Sequence, residues 1–126
     1  MAPGDTFITT DPSTARDAHL WVIVSEPAQD EDRIVILNLT TAAKHHDKTC
    51  ILAVGDHPFI SRESAINYGQ GYVLSRATLE AQLNRRRIES RQPVTAAALQ
   101  RNREGAGVSP FLPFEQYKIL REQGII

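Results

Sequence analysis

HLWVIVS (residues 19–25), EPAQDED (26–32) and RIVILNLTT (33–41) follow one another without interruption. Two runs rich in Val and Ile, each of strand length, flank a Glu, Pro, Gln and Asp segment that no apolar core would accept, and the stretch reads as a β-hairpin. Leu20 to Val24 and Ile34 to Leu39 are almost continuously apolar, so both strands are expected to be covered on both faces or to lie at the middle of a closed sheet. Polar residues stand at the ends of this block: His19 before the first strand, and Asn38, Thr40 and Thr41 as the second one finishes. A hairpin returns the chain to where it started, so simple pairing puts His19 and the segment 38–41 at one edge. Chemistry is expected to begin at that edge.

Working outward, Gly4 and Asp5 open a short apolar run over 6–9, and Asp11-Pro12-Ser13 closes it as a turn. Residues 14–18 are a polar connection. Beyond Thr41, AAKHHDK (42–48) has no apolar period and is a loop, followed by a fourth strand candidate over 49–54 that Gly55-Asp56 ends. Pro58 biases His57 to an extended backbone, and Phe59 with Ile60 is expected to re-enter the core. Residues 65–68 and 72–74 read as two short strands around a Gly69-Gln70-Gly71 turn. Ser75 is a good N-cap for a helix over 76–87 with Leu79, Leu83 and Ile88 on its apolar face. Pro93 can open a second helix reaching about Arg103, which Gly105-Ala106-Gly107 stops, and 114–123 is a last helix ended by Gly124. Strands with turn signals between them, then helices, imply a mainly β fold: a small, strongly bent β-barrel over 1–74 and an α-helical C-terminal extension over 75–126 packed on it, in a single compact domain.

At 126 residues, with 41% apolar and 23% charged content, the chain has the length of one domain and enough apolar material for a sizeable core. Its lone cysteine, Cys50, leaves no internal disulfide and is expected to be a buried small residue. No run approaches the roughly 18 apolar residues of a membrane span. The opening MAPGDTF lacks the basic-then-apolar order of a signal peptide, so a cytoplasmic location is expected. Residues 1–74 hold five Lys and Arg against ten Asp and Glu, whereas 75–126 hold nine against five. That split fits either a solvated basic face or a nucleic-acid or acidic-protein partner for the C-terminal part.

His45, His46, Asp47, Asp56 and His57 invite a metal, but adjacent loop histidines do not normally aim at one point, and neither H-E-x-x-H nor a paired-cysteine pattern occurs. Gly69-Gln70-Gly71 lacks the lysine of a phosphate loop, and no G-x-S-x-G elbow supports a serine triad. What remains is His, Thr, Ser and Tyr at strand ends with Arg and Lys nearby, the inventory that metal-free RNA cleavage uses. Such cleavage needs a base for the ribose 2′-hydroxyl, an acid for the leaving 5′-oxygen and donors for the phosphate charge. Histidine suits the first two roles, because an ordinary pKa of about 6.5 lets either form exist near neutrality. His19 and His57 are therefore the candidate acid and base, Thr40 and Ser64 the candidate phosphate donors, and Thr41, Lys44, Arg62 and Tyr68 the candidate substrate-binding residues.

Gly4-Asp5 before a first strand, Val24-Ser25 ending an apolar strand, Leu39-Thr40-Thr41 ending the next, and Ser64 leading into a later one are similar in order and spacing to the MazF/PemK-like (Kid-type) toxins. The resemblance covers about residues 4–74. It implies an SH3-like barrel, a homodimer, and sequence-specific, metal-independent endoribonuclease activity on RNA, restrained by an antitoxin protein, with no cofactor. Thr40 falls on the family's catalytic hydroxyl position. His19-Leu20 stands where the family commonly carries Arg-Pro, so either His19 takes a base or acid role in place of that arginine, or the fold serves as a non-catalytic SH3-like module binding nucleic acid or a protein partner. Residues 55–60 and the helical tail lie outside the family pattern. Phe111, Leu112, Phe114, Tyr117, Ile119 and Leu120 are expected either to cover one end of the barrel or to join a second subunit.

Overall fold

The computed structural model describes residues 1–9 and 19–126; the turn expected at Asp11-Pro12-Ser13 and the connection expected over 14–18 lie outside them. Among the described residues, β1 (Thr6–Thr9), β2 (Leu20–Ile23), β3 (Ile34–Thr41), β4 (Ile51–Leu52), β5 (Ser64–Leu74) and β6 (Ile88–Arg91) form one antiparallel sheet in the order β4-β5-β3-β2-β1-β6. The sheet curls into a half-barrel. Helices α1 (Arg76–Asn84), α2 (Ala96–Ala106) and α3 (Phe114–Glu122) follow, and a single 3-10 turn spans Ala42–Lys44. The fold is mainly β with C-terminal helices.

The central hairpin pairs Trp21 with Asn38, Val22 with Leu37 and Ile23 with Ile36. Successive strand side chains point to opposite faces. Leu20, Val22, Val24, Val35, Leu37 and Leu39 enter a core with Ala98 and Ala106 of α2 and Ile119 and Leu120 of α3. Ile23, Ile34 and Ile36 point the other way, onto Phe7 of β1 and Leu79 of α1. With helices on both faces, neither odd nor even positions can be polar, which explains the uninterrupted apolar runs. Each such side chain contributes about 1.5–3 kcal/mol by leaving water. Ser25 closes the hairpin, its buried Oγ accepting the Val35 amide at 2.9 Å.

Residues 64–74 are one strand, not two around a turn. Both halves pair with β3: Ser64 to Asn67 against Thr41 to Asn38, and Tyr72 to Leu74 against Ile36 to Ile34. The register shifts between Ile36 and Asn38, and the extra residues about Gly69-Gln70-Gly71 are absorbed there as a bulge that bends the strand. Gly71 is required at this bend, because a Cβ would stand 2.7 Å from the Ile36 carbonyl oxygen.

The expected helix over 76–87 ends at Asn84, Arg86 takes a positive φ of 56°, and the chain turns into β6. Ile88 lies on a strand and not on the helix: β6 pairs antiparallel with β1, from Thr6 opposite Arg91 to Thr9 opposite Ile88. Helix α2 begins under a Thr95 cap, whose side chain accepts from the Ala98 amide at 3.1 Å, and it runs through Gly105 without stopping. Gly105 packs on the Tyr68 side chain, where a Cβ has no room. The fourth strand shortens to Ile51–Leu52.

Candidate functional site

Continuing the hairpin register two residues past Trp21 and Asn38 sets His19 against Thr40, while β5 sets Ser64 against Thr41. A cleft of about 410 Å³ opens at this margin of the sheet, lined by His19, Thr40, Thr41, Lys44, Arg62 and Ser64 together with Leu20, Leu39, Phe59, Ile60 and Ser61. Residues proposed from distant parts of the chain therefore share one cavity. The antiparallel ladder is the cause, since it returns the chain to the same margin twice.

His19 Nδ1 lies 2.9 Å from the Leu39 carbonyl oxygen. A carbonyl can only accept, so Nδ1 carries the proton and Nε2 is the basic nitrogen of the neutral ring. Thr41 occupies the N-cap position of the 3-10 turn but makes no side-chain capping bond, so its hydroxyl is not spent there. Ser64 Oγ donates to the Arg62 carbonyl at 3.1 Å, which ties the β5 start to the loop before it. Lys44, at the end of the turn, and Arg62 are exposed, and among the described residues neither forms an ion pair. Among the described residues no carboxylate lines the cleft. The Lys44 and Arg62 cations make it a place for an anion.

His57 and Tyr68 are not in this cleft. His57 is 3% exposed, with Nε2 at 2.5 Å from the Gln92 carbonyl and 3.2 Å from Thr6 Oγ1, while Nδ1 accepts the Phe59 amide at 3.0 Å. Both ring nitrogens are occupied, so the expected second acid–base histidine is a buried bracket joining β1, the 56–60 loop and the segment before α2. Burial pushes its pKa below the ordinary value, and nearby Arg91 adds to this against the Gln92 hydrogen bond. Tyr68 is fully buried, its hydroxyl donating to the Asn102 carbonyl at 2.8 Å. It anchors α2 to β5 and cannot reach a substrate. Burial raises the phenol far above its usual value.

Phe59 was expected in the core, but only Ile60 enters it; Phe59 is 43% exposed and forms a wall of the cleft. Its place after Pro58 in a polar segment is the one local sign that the ring could face solvent. Asp47 is also structural: burial alone would raise its carboxyl, but hydrogen bonds from Thr49 and Ser109 hold it below the usual range. Cys50 is a buried free thiol, and burial raises it. Among the described residues no three His, Cys, Asp or Glu side chains converge as a metal site, and no helix is long and apolar enough to cross a membrane. No family model matches the chain, and no curated protein does.

Proposed function

We propose that this chain is a metal-independent endoribonuclease of the MazF/PemK-like (Kid-type) toxin class, an SH3-like barrel acting in the cytoplasm that cuts RNA in the cleft between the start of β2 and the end of β3. His19 Nε2 takes the proton of the ribose 2′-hydroxyl, and the 2′-oxygen attacks the adjacent phosphorus. The bond from phosphorus to the 5′-oxygen breaks, and that oxygen takes a proton from water, leaving a 2′,3′-cyclic phosphate and a 5′-hydroxyl. Lys44, Arg62 and the Thr40 and Thr41 hydroxyls offset the charge that builds on the phosphate oxygens. The observation that carries the reading is the His19 to Leu39 hydrogen bond, which fixes a basic nitrogen in the same cavity as the Lys44 and Arg62 cations. The proposal includes a homodimer and a restraining antitoxin protein, checked by sedimentation of the purified chain and by co-purification with the product of a neighbouring gene.

The test is incubation of the purified chain with RNA in the presence of EDTA. Cyclic-phosphate ends are expected, and His19→Ala is expected to lower the cleavage rate by about 10²- to 10⁴-fold at unchanged circular dichroism. Wild-type protein that leaves RNA intact from pH 5 to 8 overturns the nuclease reading.

A second reading is favoured by one observation: with His57 locked in the interior, the cleft holds a single histidine. On that reading the same cleft is the binding site of a non-catalytic SH3-like module that holds RNA or a protein segment. Retained affinity for RNA with no cleavage at any pH is its expected result.

A further inference from the structure

On the far side of the 3-10 turn from the cleft lies a second hollow, of about 320 Å³, lined by His45, His46, Asn67, Gly69, Gln70 and Phe111. Its composition is the complement of the cleft's. Among the described residues no Lys, Arg, Asp or Glu faces it, and its walls are aromatic rings and side-chain amides. The His46 ring meets His45 at 4.7 Å between centroids and Phe111 at 4.7 Å, edge-on. Asn67 and Gln70 each carry a donor and an acceptor, and His45 Nε2 is shielded from water without a hydrogen-bond partner. Burial, with His46 next to it, holds the His45 pKa below its ordinary value, so that ring is neutral at pH 7.

We propose that this hollow receives an unpaired nucleobase of the RNA strand whose phosphate lies in the cleft. The ligand that fits is flat and uncharged with donors and acceptors along one edge: the rings take its face, and the Asn67 and Gln70 amides take its edge. The placement supports this, because Lys44 lines the cleft and His45, the next residue, lines the hollow. Ser64 of the cleft and Asn67 of the hollow are three residues apart on β5, a rise of about 10 Å, with side chains leaving opposite faces of the strand. An RNA strand that leaves a phosphate on Lys44 and Arg62 must therefore pass along the Lys44-His45 backbone to turn a neighbouring base into the hollow. The bulged stretch of β5 at Gly69 and Gln70, pushed out of the ladder, supplies the base-facing wall.

This inference rests on the reading of the cleft as an RNA site, and its test is arranged so that the two can fail separately. Full-length protein is titrated with RNA pentamers of each base, protected by 2′-O-methyl groups so that they cannot be cut, while the His45 and His46 ring resonances are followed by NMR. Saturable shifts that differ among the four pentamers are expected, as is about ten-fold weaker binding by Phe111→Ala of the preferred pentamer. Phe111 is exposed, so the variant keeps its fold, and circular dichroism checks this. Unmoved His45 and His46 resonances, equal affinity in Phe111→Ala, or the same shifts from N-acetyl-tryptophanamide overturn the inference, whether or not wild-type protein cuts RNA. If the shifts appear but unprotected RNA is never cleaved, the base pocket stands and the nuclease reading falls.

Discussion

His57 gives its Nε2 proton to the Gln92 carbonyl and accepts the Phe59 amide on Nδ1, so a second proton would cost it a hydrogen bond inside the protein. Its folded-state pKa lies below the ordinary 6.5. The stability it supplies is then complete above about pH 6.5 and is lost as pH falls below that value, because the unfolded chain takes a proton that the folded chain refuses. His45, also lowered by burial, acts with the same sign. Urea midpoints measured at pH 7.5 and 5 are expected to fall on acidification, and His57→Gln, which cannot titrate, to shrink the fall without abolishing it. An equal fall in both proteins would refute the account. Tyr68→Phe tests the other relocated residue: it removes the hydrogen bond that ties β5 to the Asn102 carbonyl and is expected to cost about 0.5–1.5 kcal/mol in urea unfolding while leaving RNA affinity unchanged. A substrate-binding tyrosine would show the reverse.

At the scale of elements, the glycine bend in β5 decides where the cleft and the hollow lie relative to each other. Gly71→Ala would drive a methyl group into the Ile36 carbonyl, which belongs to a strand buried on both faces and cannot retreat. A loss of about 1–3 kcal/mol is expected, with faster amide exchange in β3 and β5 but not in α3. Elements whose cause is local were legible in the sequence: the apolar runs of β1 to β3, the Ser75 cap of α1, and the apolar positions of α3. Elements with a remote cause were not. Ile88-Glu89-Ser90-Arg91 has one partly buried residue and three exposed ones, and it is a strand only because β1 offers it an edge. The glycines of β5 read as a turn because the shared partner β3 is some thirty positions away in sequence. The site divides in the same way. His19, Thr40, Thr41 and Ser64 follow from register, whereas the burial of His57 depends on Thr6 and Gln92, 51 and 35 residues distant.

For the whole molecule, the acidic first part and the basic last part complement each other within the fold. Arg76 reaches Glu31 and Arg101 reaches Asp56, so part of the charge split is answered internally by pairs that join a base of the last part to an acid of the first. Each exposed pair contributes only about 0–1 kcal/mol, and the net charge of −1 gives the protein as a whole no attraction for a polyanion. On the proposed reading, RNA affinity arises locally, from Lys44 and Arg62 in the cleft. Releasing counterions at two phosphates of a single strand gives a slope of about −1.4 in a plot of log K against log salt. Arg62→Ala is expected to move that slope to about −0.7, and reversing an exposed charge far from the cleft, as in Glu115→Lys, to leave it near −1.4. Fluorescence anisotropy between 50 and 300 mM salt measures all three. A slope steeper than about −4 in the wild type would mean that the basic tail, and not the cleft, carries the RNA, and a flat line would leave the cleft cations without a phosphate to hold.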